Sequence, residues 1–259
     1  MKGFFSTKHK QKAKSDKTIN EKELILNGET SFHIQEAYKA SRTNTMFSIP
    51  GKGCKKVVVT SSFPGEGKST TCINLAITFA QTGSKVLVID ADLRKPTVHR
   101  KLEVNSQYGL AHLLGNFCKV EDTITSSKYE NLDVILAGHL PPNPAELLAS
   151  DAMKNILDTL SESYDYIFLD TPPLNVVTDA TVLSSIVSGT IVVVRQGETH
   201  HKDVQDALSK LEFANAKILG LILHGVQGNN KKYGKYGKYS KYSRYGEYTY
   251  GATSTAQEK

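Results

Sequence analysis

No stretch of this 259-residue chain approaches the about 18 consecutive apolar residues that a membrane-spanning helix needs, so the sequence predicts no membrane span. A secretory leader is missing too: the start, MKGFFSTKHKQKAK, is basic but has no apolar core or cleavage site. Cysteine is scarce. Cys54, Cys72 and Cys118 are odd in number, far apart and in no CxxC pair, which argues against a disulfide framework or a zinc site. They fit small hydrophobes in a reducing cytoplasm. Acidic residues are outnumbered, 26 against 32 Lys and Arg, but the surplus is local. Residues 1–23 carry +4 and residues 228–259 carry +5, whereas residues 24–227 carry −3. The net charge of +6 therefore describes two basic arms on a mildly acidic body, not a nucleic-acid-binding body.

Three segments follow from composition. Residues 1–23, lysine-rich and short of large apolar side chains, are expected to be disordered. Residues 228–259 form a low-complexity tail with Tyr233, Tyr236, Tyr239, Tyr242, Tyr245 and Tyr248 at a three-residue interval, then Tyr250. That interval fits neither a helix face nor a strand face, and disorder is expected here as well. Residues 24–227 are the body. A helix is expected over 32–48, with Ile34, Ala37, Ser41, Thr45 and Phe47 roughly along one face and Pro50-Gly51 as its stop. Apolar runs then recur at 57–61, 85–90, 132–137, 165–170, 190–195 and 218–223. They are rich in Val, Ile and Leu on both faces, as parallel strands covered by helices are. Helical patterns lie between them, at 73–81, around 110–115, and at 143–160, 179–187 and 202–213. The alternation predicts a three-layer α/β domain around a mostly parallel sheet.

Chemistry concentrates in three places. SSFPGEGKST, Ser61 to Thr70, follows a strand and opens a helix, which is the context of a P-loop. Gly65 and Gly67 let backbone amides turn inward around phosphate oxygens, with Pro64, Glu66 and Thr70 completing the loop. Lys68 is placed to reach the β- and γ-phosphates of ATP, and the Ser69 hydroxyl to coordinate Mg²⁺. Ser62 stands where the usual pattern has its first glycine. The second place is IDADLRKP, with Asp90 and Asp92 at a strand's carboxyl end, where α/β sheets bind ligands. Such carboxylates serve a metal or accept a proton, although the pair also fits two turn-capping residues. The third is YIFLDTPP, a Walker B pattern whose Asp170 supports Mg²⁺.

Together SSFPGEGKST, VLVIDADLRKPT, YIFLDTPPLNVVTDA and the PPNPAELL run at 141–148 resemble the bacterial tyrosine kinases of capsule and exopolysaccharide synthesis. The resemblance covers nearly the whole body, and the tyrosine-rich tail is that family's other hallmark. It implies a P-loop NTPase fold and ATP- and Mg²⁺-dependent transfer of phosphate to tyrosine. As a coil of about 25–30 Å the tail reaches a neighbouring subunit more easily than its own site, so autophosphorylation of Tyr233 through Tyr250 is expected in trans. By the same resemblance Asp90 is the candidate base and Asp92 and Asp170 are magnesium-side carboxylates, the assignment between Asp90 and Asp92 staying open. It also implies a cytoplasmic enzyme reaching the membrane through a separate transmembrane activator (a polysaccharide co-polymerase), and a cognate tyrosine phosphatase. The family's helix pattern E-x-x-R-x-x-R joins subunits into a ring. Here it reads Glu36, Lys39 and Arg42, so one bidentate contact is lost at Lys39. His224 stands where the family tends to have Asn near the adenine.

Two rivals remain on sequence alone. A partition or division-site ATPase of the same P-loop branch usually has a lysine where this chain has Phe63, and gives the tail no role. A module binding RNA or membrane through the Lys/Tyr tail would stack tyrosines on bases and neutralise phosphates with lysines.

Overall fold

The computed structural model describes residues 24–226. Both basic arms, and with them all seven tail tyrosines, lie outside the described residues. Within that span seven strands form one sheet in the order β3-β4-β2-β5-β1-β6-β7. They are β1 (Lys55–Ser61), β2 (Val86–Asp90), β3 (Ile124–Ser126), β4 (Leu132–Ile135), β5 (Tyr166–Asp170), β6 (Gly189–Arg195) and β7 (Ile218–His224). Every pairing is parallel except that of β3 with β4. The six apolar runs of the sequence are six of these strands. Short β3 escaped notice because its three residues, Ile-Thr-Ser, carry no apolar run.

The helices cover both faces, as expected for strands apolar on both sides. They are α1 (Phe32–Ser48), α2 (Lys68–Ala80), α3 (Val98–Leu102), α4 (Leu110–Leu114), α5 (Pro144–Leu148), α6 (Asp151–Leu160), α7 (Asp179–Ser184) and α8 (His201–Phe213). Val57, Val58 and Val59 on β1 are wholly buried, and so are Leu87, Val88 and Ile89 on β2. On one face Phe79 of α2 packs against the rings of Tyr166 and Phe168, with centroids 4.3 and 5.3 Å away. Burying each such large apolar side chain contributes about 1.5–3 kcal/mol. The segment before α1 is pinned to α2. Asn74 Oδ1 accepts from the Leu26 amide at 2.8 Å, and Asn74 Nδ2 donates to the Leu24 carbonyl at 2.9 Å.

Three expectations need correction. The helix expected over 143–160 is two, α5 and α6, because Ser150 caps a new start by accepting from the Met153 amide. On α1 the face turned to the body carries Gln35, Tyr38, Ser41, Arg42 and Thr45, whereas Ile34, Ala37 and Phe47 point away. The apolar residues of that helix therefore do not mark its buried side. Finally, β7 is an edge strand and is not covered like the others: Leu221 and Leu223 stay half exposed.

Candidate nucleotide site

Strand register brings the three motifs together. Asp90 at the end of β2 pairs with Asp170 at the end of β5, and Val59 of β1, two residues before the loop, pairs with the same Asp170. The P-loop, the Asp90–Asp92 turn and the Walker B aspartate thus share one edge of the sheet, at the carboxyl ends of adjacent parallel strands. A cleft of about 410 Å³ opens there. Its walls include Pro64, Gly65, Gly67, Lys68, Ser69 and Thr70 from the loop, and Asp92, Arg94, Lys95 and Lys101 from the β2–α3 side.

The loop's shape follows from its glycines and from one carboxylate. Gly65 and Gly67 have φ of 87° and 93°, the left-handed region where a side chain is strained. At Gly67 a Cβ would also collide with the His224 ring. Glu66 is buried and faces the protein: its Oε2 accepts from the Ser62 and Phe63 amides at 2.8 and 3.1 Å, and its Oε1 accepts from the Thr199 hydroxyl. Glu66 therefore braces the loop from beneath. Ser62 is not among the residues with positive φ, so serine is tolerated at the first-glycine position. Arg195 steadies the loop from the other side, donating to the Gly65 carbonyl at 3.2 Å.

The charged groups interlock. Lys68 Nζ lies 2.9 Å from Asp92 Oδ2 and 3.7 Å from Asp170 Oδ1. Burial opposes its charge, but Asp170 and Asp92 outweigh burial and hold Lys68 above the usual lysine range. Asp92 Oδ1 accepts from the Arg94 and Lys95 amides. Asp90 has no exposure and does not line the cleft. Its oxygens accept from the amides of Asp92, Thr97 and Val98, so it ties the turn to the start of α3. Burial, reinforced by nearby Asp170, pushes its carboxyl up to about 8. Asp170 is raised as well, by burial first. Burial, with Arg195 and Lys101 adding to it, lowers His224.

Unpartnered atoms mark where a ligand fits. Among the described residues five buried side-chain polar atoms lack a hydrogen-bond partner, and four of them belong to Ser62, Thr97 and both oxygens of Asp170. Native interiors leave few such atoms, and a bare carboxylate is costly. The donor set fits a magnesium ion carried on phosphates: Asp170 and the Ser69 hydroxyl are hard oxygen donors, and Mg²⁺ takes few protein ligands beside phosphate and water. Consistently, no closed cluster of three His, Cys, Asp or Glu exists among the described residues.

Two features were not foreseen. Arg94 donates twice to Asp179, Nε and Nη2 each at 2.9 Å, and Asp179 is fully buried at the start of α7. The pair ties the Asp92 turn to the segment after Walker B. DLR and TDA are 85 residues apart in sequence, so spacing gave no signal. On α1 the three charges foreseen on one face are divided. Lys39 pairs with Glu36 at 2.8 Å, whereas Arg42 donates to the Thr78 carbonyl of α2 at 2.7 Å.

Comparison with known proteins agrees with this geometry. The AAA domain family model matches residues 54–216. Tyrosine-protein kinase YwqD of Bacillus subtilis is 41% identical over 200 residues, 77% of this chain and 84% of that relative. Tyrosine-protein kinase CpsD of Streptococcus pneumoniae serotype 4 is 35% identical over 201 residues, 77% of this chain and 88% of the relative. The solved kinase domain of Escherichia coli tyrosine kinase ETK matches with a TM-score of 0.73 at 34% identity, covering 76% of this chain and 77% of that one.

Proposed function

Because the chain belongs to the bacterial tyrosine kinases of the P-loop ATPase type and is a protein-tyrosine kinase, we propose that it phosphorylates the tyrosine cluster of its own C-terminal segment, one copy acting on another. The observation that supports the site assignment is Lys68, which lines the cleft with Asp92 and pairs with both Asp92 and the buried Asp170, whose oxygens carry no hydrogen bond. Magnesium-bound ATP, when present, supplies the phosphoryl group and a cation that draws charge from it. The amides of Gly65 to Thr70 hold phosphate oxygens at the start of α2, and Lys68 neutralises them. Ser69 and Asp170 face the cation. Asp92, the carboxylate lining the cleft, orients the acceptor hydroxyl and takes its proton as the tyrosine oxygen bonds phosphorus and ADP leaves. Asp90, enclosed and held by three amides, is a positioning residue for that turn. This reading gives Asp92 the role of base that the family resemblance suggested for Asp90, an assignment the sequence leaves open, and gives Asp90 no part at the magnesium ion.

Family membership supports a wider setting for this reading. The enzyme acts in the cytoplasm on capsular or extracellular polysaccharide synthesis, with a separate transmembrane activator and an opposing tyrosine phosphatase. Copies assemble as a ring through α1, with Glu36 and Lys39 at the contact; Arg42, held by the Thr78 carbonyl of its own body, joins it only by exchanging that bond. The tail begins at +5, and each phosphate adds about −1.5 to −2, so three phosphates bring it near zero. A basic tail suits a body of −3, and a heavily phosphorylated one is repelled, which loosens the assembly. The test pairs two full-length chains: an active enzyme with all seven tail tyrosines changed to Phe, and a Lys68→Met chain as acceptor. Labelled tails on the Lys68→Met chain support transfer in trans. Unlabelled tails, with the wild type still labelling itself, contradict it.

A further inference from the structure

A second cavity, of about 810 Å³, runs along α7 and α8 and is walled by Val176, Val177, Val182, Phe213 and neighbouring residues. It is not separate from the cleft: Val176 and Val177 line both. Its wall is apolar and uncovered, with Phe213 91% exposed and Val176 55% exposed. The charge in that wall, Lys210, is spent internally, its ammonium donating to the Leu174 carbonyl at 3.0 Å and Asn175 Oδ1 at 2.9 Å. A peptide entering the phosphate end of the cleft therefore has an apolar channel to lie in.

The sequence holds a segment of matching pattern. From Lys232 the tail reads KYG KYG KYS KYS RYG EYT, six triplets of a charged residue, a tyrosine and a small residue. A backbone with three residues per turn sets every third side chain on one face, about 9 Å apart. Bound that way, the segment offers one face of tyrosine rings, one of charges and one of small residues. We infer that the α7–α8 groove docks the tyrosine triplets of another copy's tail, holding one ring against Val176, Val177 and Phe213 while a neighbouring tyrosine reaches Asp92. The inference rests on the tail being the acceptor. The groove wall holds no acidic side chain, so its match to the tail lies in its apolar surface and in the repeat of the tyrosine face. Because every triplet repeats the same face, a shift of three residues restores the same contacts. One groove can thus present successive tyrosines without a separate site for each.

The experiment measures the acceptor KM. The enzyme is the full chain with its seven tail tyrosines changed to Phe, and the acceptor is the Lys68→Met chain. Into the enzyme go Phe213→Ser and, separately, Ser185→Arg, both at positions that line the groove. Both positions are exposed, so neither change tests folding. The expected result is a rise in acceptor KM of about tenfold, with kcat and ATP affinity unchanged. A Lys68→Met acceptor with the same tail composition in scrambled order should show a similar rise on the unaltered groove. Unchanged KM for both groove variants overturns the docking site while leaving tail phosphorylation in trans intact. A changed sedimentation coefficient with unchanged KM also overturns it, since the groove then joins bodies rather than holding tails. No labelling of the acceptor by any enzyme overturns the tail reading and the groove with it.

Discussion

The cleft and the α1–β7 edge are both incomplete surfaces, and they are incomplete in opposite chemical senses. The cleft leaves polar atoms without hydrogen bonds: both oxygens of Asp170 are buried and accept none, with the Lys68 ammonium as an ion-pair partner 3.7 Å from Oδ1. The edge leaves apolar side chains without cover, with Phe47 82% exposed and Met46, Leu221 and Leu223 about half exposed. A bare buried carboxylate calls for a cation or a donor, which small ligands supply. An uncovered apolar face calls for another protein surface. The same fold thus keeps its candidate site, at the ends of the central strands, apart from the uncovered apolar edge at its last strand and first helix.

Changes at the cleft should abolish chemistry and spare assembly. The largest effect is expected for Lys68→Met, a loss of about 10²–10³ in tyrosine labelling with the sheet intact, checked by labelling rate and circular dichroism. A melting curve should show a loss of stability that magnesium partly restores, because Asp92 and Asp170 then face each other uncompensated. Next come Asp92→Ala and Asp170→Ala, each expected to cut activity at least tenfold. The Asp170 change should also raise the magnesium concentration needed for half-maximal rate, read from a magnesium titration.

The tie between the two loops is a smaller target. Asp179→Asn leaves the Arg94 guanidinium without its bidentate partner and should cost about 1–3 kcal/mol in urea unfolding, with reduced activity through the displaced Asp92 turn. Stability should also depend on pH through Asp90. Its folded-state pKa of about 8 lies above that of the unfolded chain, so the folded protein holds a proton that the unfolded chain has released. The contribution is complete below about pH 4, declines as pH rises towards 8 and is then constant. Melting of the nucleotide-free protein between pH 5 and 9 should show this decline, and Asp90→Asn should flatten it. The smallest effect on folding is expected at the edge. Phe47→Ser should change stability by no more than about 0.5 kcal/mol, yet shift sedimentation towards smaller species. An edge variant that loses activity as a dilute, dispersed protein would dissolve the contrast between the two regions.

The same contrast explains what the sequence made legible. The strands and the cleft were visible because each rests on a local pattern: an apolar run followed by Asp90 or Asp170, or Gly65 and Gly67 followed by Lys68 and Ser69. Glu66 belongs to the glycine loop that the motif marks, but no local pattern tells that its side chain turns inward to the Ser62 and Phe63 amides. The Arg94–Asp179 pair was hidden because it joins two loops that only the sheet brings together. The orientation of α1 was misjudged for a different reason. Burial on that helix is decided by the partner, α2, which takes Tyr38, Arg42 and Thr45, while the most apolar residues are left for surfaces beyond this one body.

The central claim is that this cleft moves phosphate from ATP to the tail. It is tested most directly by incubating the purified full chain with magnesium and ATP and mapping phosphorylated residues by mass spectrometry, beside the Lys68→Met chain treated alike. The account predicts phosphate on the cluster from Tyr233 to Tyr250 in the wild type and none in Lys68→Met. A wild-type tail without phosphate, or equal labelling in both chains, would contradict it.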